Sequence, residues 1–172
     1  MELLLTLGLF ALVSSITPGP NNLMLMNSGA TFGLKRTLPH MFGVAIGFCL
    51  MVFLVGLGII QVFDQFPASY EVLKWISIMY LSYLALKIAR SGRPDTGGQV
   101  AGKPMTFIQA VLFQWVNPKA WTMALSAVSL YAPQRDLASV LLVTLVFGLV
   151  NFPSISVWAL MGREFQRFLT SS

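Results

Sequence analysis

The feature that most constrains this chain is the gathering of its apolar residues into long blocks, separated by short segments that hold most of the charges. The blocks cover residues 3–34, 41–63, 72–89, 105–131 and 137–161. A helix needs about 20 residues to cross the hydrocarbon core of a bilayer, and the third block reaches this only if its lysines extend toward the membrane surface. Because 56% of the residues are hydrophobic and 10% are charged, the sequence predicts an all-α polytopic membrane protein with five transmembrane helices.

The lysines and arginines are distributed unevenly over the two sides of the predicted membrane. One side holds Lys35, Arg36, Lys87, Arg90, Arg93, Lys103, Arg163 and Arg167. The other side holds only Lys74 and Arg135, and Lys119 lies inside the fourth block. The positive-inside rule makes the first side cytoplasmic, so the N-terminus is periplasmic and residue 172 is cytoplasmic. The net charge of +5 is then a sign of topology and not of nucleic-acid binding.

Two of the blocks contain proline motifs at which a helix would end and a new one begin. These motifs are Thr17-Pro18-Gly19-Pro20-Asn21-Asn22 in the first block and Asn117-Pro118-Lys119 in the fourth. Each places a good N-cap residue before a proline, which is favoured at the first helical position. The sequence therefore predicts that spans 1 and 4 are both broken at their proline motifs.

The two motifs also predict an internal repeat. They lie at corresponding depths of spans that cross the membrane in opposite directions, which is the plan of an inverted repeat, common in secondary transporters. Residues 1–90 would form a first three-helix repeat, and residues 104–172 an incomplete second one that is expected to lack a sixth span. Both belong to a single membrane domain, residues 1–172.

A helix that begins inside a membrane exposes unpaired backbone N–H groups and the positive end of its dipole, for which a carboxylate is a natural partner. The candidate substrate-binding residues are Thr17, Pro18, Gly19, Pro20, Asn21, Asn22, Asn117, Pro118 and Lys119. Lys119 is the one formal charge deep inside a span, and it would attract a carboxylate or act in gating. The alternative is that the prolines only kink the helices, and that Lys119 snorkels or binds carbonyl groups that Pro118 leaves free.

Other polar and small residues carry weaker signals. Asn151 with Pro153 is either a third break beside a cavity or a simple kink, and the sequence leaves both open. His40 follows a basic segment and is expected to be a solvated loop histidine. Gly43 and Gly47 form a GxxxG pattern, which predicts close helix packing.

The sequence also lacks the motifs of several other classes of membrane protein. No Asp or Glu lies in the middle of a span, so no buried carboxylate relay is visible. There is no HExxH or P-loop motif, and the chain has one histidine and one cysteine. These observations argue against an intramembrane enzyme and predict neither a cofactor nor a bound metal.

Four segments resemble the LysE/RhtB family of bacterial amino-acid exporters. They are TPGPNN at 17–22, GATFGLKRTLPHMFGVAIGF at 29–48, FQWVNPKAW at 113–121 and GREFQRFL at 162–169. Within the family, TPGPNN, YLSYLALKIA and the tail are most similar to the cysteine/O-acetylserine exporter branch. The resemblance covers essentially the whole chain. It implies an inner-membrane secondary transporter, driven by the proton gradient, whose substrate cavity includes residues 18–22 and 117–119.

The sequence is thus interpreted as that of a secondary transporter that exports small amino acids or derivatives by alternating access. Substrates like cysteine and O-acetylserine, or like threonine and homoserine, both remain open. Its expected partners are the amino acid and the lipid bilayer, with a homo-oligomer of copies that complete each other left open. Because a sixth span is expected to be missing, the alternative is a truncated membrane subunit or inactive remnant that does not transport.

Overall fold

The computed structural model describes residues 1–59, 61, 65–66, 68–90 and 103–170. Its helices are α1 (Glu2–Ile16), α2 (Pro20–Gly56), α3 (Ala68–Arg90), α4 (Phe107–Val116), α5 (Pro118–Tyr131) and α6 (Leu137–Thr170). In the described part of the chain α2 and α6 are long and apolar enough to cross a membrane, and α1 and α4 are shorter apolar helices. The predicted helical membrane class is therefore confirmed, whereas the number of five spans stays a prediction.

Some sequence-based expectations fall outside the described ranges. They concern the end of the second block at residues 60 and 62–63, the connector at 91–102 with Arg93, and residue 172.

The turn between the first two apolar blocks lies at Gly33, and the segment 35–40 that was expected to form the connector is helical. Gly33 has a φ of 75° and a ψ of 167°, a backbone conformation that favours glycine because a Cβ would be strained there. The hydroxyl oxygens of Ser28 and Thr37 lie 2.9 Å apart, although nine residues of straight helix would separate them by about 13 Å. The chain therefore doubles back within α2.

The expectation of a solvated loop histidine at position 40 is wrong. His40 is 2% exposed, and neither ring nitrogen has a hydrogen-bond partner. The cause is the early turn at Gly33, which leaves His40 inside the second half of α2. There it lies one helical turn before Gly43, the first of the two glycines that pack against α4.

Glycines set the distance between α2 and its neighbours. A Cβ added to Gly47 would lie 2.7 Å from the Cα of Val111 in α4, so the close packing predicted from the GxxxG pattern is confirmed. Between α2 and α6, a Cβ added to Gly162 of α6 would meet the backbone of Met26 of α2. A Cβ added to Gly29 of α2 would meet the backbone of Ala159 of α6. These contacts make α2 the centre of the helix packing, between α6 on one side and α4 and α5 on another.

Local hydrogen bonds fix where α4 and α6 begin. Thr106 and Gln109 form a reciprocal capping box at the start of α4, with distances of 3.0 and 3.3 Å. At the start of α6, Asp136 accepts hydrogen bonds from the hydroxyl and the backbone N–H of Ser139. The side-chain bond from Ser139, followed by the backbone bond, lowers the pKa of the Asp136 carboxyl.

Candidate functional site

The break between α1 and α2 leaves carbonyl groups at the end of α1 that need hydrogen-bond partners. The amide of Asn22 donates to the carbonyls of Ser15 at 2.9 Å and Thr17 at 2.8 Å. The indole N–H of Trp158, on α6, donates to the carbonyl of Ile16 at 3.0 Å. Side chains from later helices thus satisfy the end of α1, as a helix end away from water requires.

Asn117 occupies the first donors after the break between α4 and α5, and the indole N–H of Trp121 donates across the break to the carbonyl of Trp115 at 2.9 Å. The Asn117 side-chain oxygen accepts the N–H of Lys119 at 3.1 Å. Its carbonyl accepts the N–H groups of Ala120 at 3.0 Å and Trp121 at 3.3 Å. Because Pro118 has no N–H, the first donors of α5 are all occupied.

The start of α2 differs from the start of α5. Its N-cap is Gly19, which has no side chain to accept a hydrogen bond, and Pro20 follows it. In the described part of the chain, no hydrogen bond is made by the backbone N–H of Asn21 or Asn22. Only the first break therefore presents free backbone donors to a ligand.

Lys119 joins the two breaks. Its ammonium group donates a hydrogen bond to the carbonyl of Thr17, and its chain runs so close to Gly19 that an added Cβ would lie 2.5 Å from the Lys119 Cδ. Among the described residues the ion pairs are Lys74–Glu71, Arg163–Glu164 and Arg167–Glu164. Lys119 has no carboxylate partner there, so its charge is available to an anion.

A small cavity of about 30 Å³ lies at the meeting point of the two breaks. Its polar lining consists of Ser15, Asn21, Asn22, Asn117, Lys119 and Asn151. Its apolar lining includes Val44, Phe48, Met123 and Ile155. The volume has room for about one or two water molecules, so this conformation is closed to an amino acid.

The comparison with known proteins bears on the same region. A family model described as LysE type translocator matches residues 12–172, which include both breaks and the cavity. The chain belongs to the LysE type translocator family. LysE family exporters are inner-membrane transporters and not enzymes, so binding and release, and not catalysis, are the chemistry to seek in this cavity. The resemblance drawn from the motifs is confirmed.

Individual relatives of this LysE type translocator are also known. It is similar to the cysteine/O-acetylserine efflux proteins of Escherichia coli (strain K12), Escherichia coli O1:K1 / APEC and Shigella sonnei (strain Ss046). Each is 32% identical over 163 residues, which cover 92% of this chain and 81% of the relative. No solved structure gives a significant match.

The structure brings only some of the predicted site residues of this translocator together in one cavity. Gly19, Asn21, Asn22, Asn117 and Lys119 line the cavity. The carbonyl of Thr17 accepts the hydrogen bond from Lys119. The Thr17 hydroxyl donates to the carbonyl of Val13 at 2.5 Å. Pro18 and Pro20 border a separate apolar hollow with Leu81 and Ala85 of α3. Pro118 lines neither space and serves as the first residue of α5.

Three polar residues of the site were missed or left open by the sequence. Ser15 and Gln114 were not singled out, although each is a polar residue in an apolar block within three residues of a break. Asn151 is not a third break, because α6 continues through Asn151 and Pro153. It does line the cavity, and it is 4% exposed.

Asn21 and Gln114 form an amide pair between α2 and α4. The Asn21 amide donates to the Gln114 oxygen at 2.8 Å, and the Gln114 amide donates to the Asn21 oxygen at 3.4 Å and to the carbonyl of Ala110 at 2.8 Å. Gln114 is fully buried. This pair links the first proline motif to α4, the helix that precedes the second motif.

Gln114→Leu is expected to destabilise the protein by about 1–3 kcal/mol, because it leaves the Asn21 amide without its partner. The double variant Gln114→Leu/Asn21→Leu should lose less stability than the sum of the losses in the two single variants. The measurement is thermal unfolding of the wild type, the two single variants and the double variant in one detergent. Strictly additive effects would contradict a direct bond between these side chains.

Proposed function

We propose that this chain is a secondary transporter that exports small amino acids or close derivatives from the cytoplasm by alternating access. The observation that carries the proposal is the unneutralised ammonium group of Lys119 at the junction of two helix breaks. A site with one free cation and free backbone donors suits the carboxylate that every amino acid carries. The curated relatives are named as cysteine/O-acetylserine efflux proteins, which favours such substrates over threonine or homoserine.

In the proposed site the substrate carboxylate takes the place of the Thr17 carbonyl on Lys119. The backbone N–H groups of Asn21 and Asn22 add donors at the start of α2. When the substrate leaves, the Thr17 carbonyl returns to Lys119, so the ammonium group is never left without a partner away from water. The ammonium group of Lys119 thereby alternates between the Thr17 carbonyl and the substrate carboxylate.

The small size of the cavity supports alternating access. An amino acid needs more room than this conformation offers, so α1 and α2 must separate from α4 and α5 to admit it. The Lys119–Thr17 and Asn21–Gln114 contacts would then break on one side at a time. The proposal includes the five spans, the broken first and fourth spans, and the repeats 1–90 and 104–172. It also places the N-terminus in the periplasm and residue 172 in the cytoplasm.

The proposal is tested by amino-acid analysis of the medium around cells that overproduce the chain, with its membrane level measured by immunoblot. We expect cysteine, O-acetylserine or another small neutral amino acid to accumulate outside. Asn117→Ala, which removes the cap of α5 at a cost of about 0.5–2 kcal/mol, should reduce the accumulation. A membrane-inserted wild-type chain that raises no amino acid or derivative in the medium would contradict the export proposal.

A further inference from the structure

Ser15 is an exception among the buried serines and threonines of the described helices. It is 3% exposed, and its oxygen has no hydrogen-bond partner among the described residues. The other buried hydroxyls have partners: those of Ser28 and Thr37 lie 2.9 Å from each other, and that of Ser154 binds the carbonyl of Val150 at 2.7 Å. A buried polar group without a partner is costly, so the unpartnered Ser15 hydroxyl indicates a missing ligand.

The Ser15 hydroxyl lies where a ligand could reach it, because Ser15 lines the cavity between the two breaks. Asn151 lines the same cavity from α6. Lys119 is the one charged residue of the lining, which contains no Asp or Glu. The cavity therefore combines a cationic donor for an anion with neutral oxygen atoms as the side-chain acceptors for a cation.

An amino acid carries both charges, and its ammonium group must exchange water for other acceptors when it enters the site. We propose that Ser15 and Asn151 form the subsite that binds the α-ammonium group of the substrate while Lys119 holds its carboxylate. This inference rests on the proposed export of amino acids. The Ser15 hydroxyl and the Asn151 side-chain oxygen accept hydrogen bonds from the ammonium group.

The same lining also determines which amino-acid side chains the site accepts. A second cationic group would find no carboxylate among the described lining residues to neutralise it. The rest of the wall consists of neutral amides and of apolar residues, including Val44, Phe48, Met123 and Ile155. The subsite therefore selects amino acids with small uncharged side chains and rejects those with basic ones.

The test compares L-cysteine with 3-mercaptopropionate, which is the same molecule without the ammonium group. Purified full-length chain in proteoliposomes exchanges labelled L-cysteine under reducing conditions, and each compound is titrated as a competitor. Ser15→Ala and Asn151→Leu should each weaken L-cysteine about tenfold and leave 3-mercaptopropionate unchanged. The matched control is Ser14→Ala, which removes a neighbouring hydroxyl that is bonded within α1 and should change neither competitor.

The unfolding temperature distinguishes a ligand-binding role of the Ser15 hydroxyl from a structural one. Because the Ser15 hydroxyl has no hydrogen-bond partner among the described residues, Ser15→Ala should unfold at the same temperature as the wild type or a higher one. Equal weakening of both competitors, no weakening of either, or a lower unfolding temperature for Ser15→Ala would overturn the subsite.

Failure of export is distinguishable from failure of the subsite. If the wild type exchanges no L-cysteine, export of this substrate fails, and the subsite is judged by the unfolding temperature of the purified protein with each compound added. Stabilisation by L-cysteine that is lost in Ser15→Ala, with no such loss for 3-mercaptopropionate, supports the subsite. No stabilisation by L-cysteine, or the same stabilisation by both compounds in the wild type, overturns it.

Discussion

Lys119→Met is expected to lower export by about 30-fold or more while the protein remains in the membrane. Methionine keeps much of the length and apolar stem of lysine but removes the charge that would hold the substrate carboxylate. Loss of one partner from a desolvated charged pair costs about 2–5 kcal/mol, and each 1.4 kcal/mol is tenfold. The measurement is the initial rate of efflux per amount of membrane-inserted protein.

Gly19→Ala provides a second test of the lysine that preserves its charge. The new methyl group would fall 2.5 Å from the Lys119 Cδ, so the flexible lysine chain must move and its ammonium group must leave the Thr17 carbonyl. Export should fall in the same direction as in Lys119→Met, with little change in protein level. Normal export by Lys119→Met would refute the role of the ammonium group, whatever the result for Gly19→Ala.

Gly162→Val is expected to produce the largest loss of stability among these substitutions. Its Cβ would coincide with the backbone of Met26, which cannot turn aside as a side chain can. The last turns of α6 would then separate from the first half of α2, and overpacking of this kind costs about 1–3 kcal/mol or more. We expect a sharp fall in the amount of protein in the membrane and in the unfolding temperature of what remains.

A second close contact between α2 and α6, at Gly29, gives an independent check. Gly29→Val would place its Cβ against the backbone of Ala159 and should have a similar effect. Gly8→Val is the matched control, because a Cβ at Gly8 has nothing within 4 Å. If Gly162→Val accumulated and unfolded like Gly8→Val, the close approach of α2 and α6 would be disproved.

The class of the fold could be predicted from the sequence because it depends on composition and on local chemistry. Apolar blocks of membrane-spanning length lead to helices, since a helix satisfies the backbone polar groups of a segment in lipid within that segment. The start of α5 at Pro118 after Asn117 also agrees with the sequence, whereas α2 begins at Pro20 after Gly19 and not at Pro18 after Thr17 as predicted. A proline with a suitable residue before it defines a helix start within a few residues of chain.

The site could be predicted only in part, because a motif does not reveal what its side chains meet. The sequence indicated Lys119 and the asparagines as polar groups near breaks, and these do meet across the two proline motifs. It suggested two equivalent helix starts, whereas Asn117 occupies the donors of α5 and leaves only those of α2 free. The difference arises because one cap has a side chain and the other, Gly19, has none.

Contacts between distant segments were decided by the tertiary structure alone. Trp158 reaches the carbonyl of Ile16 across 142 residues, and Gln114 reaches Asn21 across 93. His40 is buried because the chain turns at Gly33 and not at the basic segment that follows it. The sequence by itself determined that helices form and that α5 begins at Pro118, since these depend on neighbouring residues. Helix packing decided which polar groups became partners and left the Ser15 hydroxyl facing a cavity, since that depends on residues far apart in the chain.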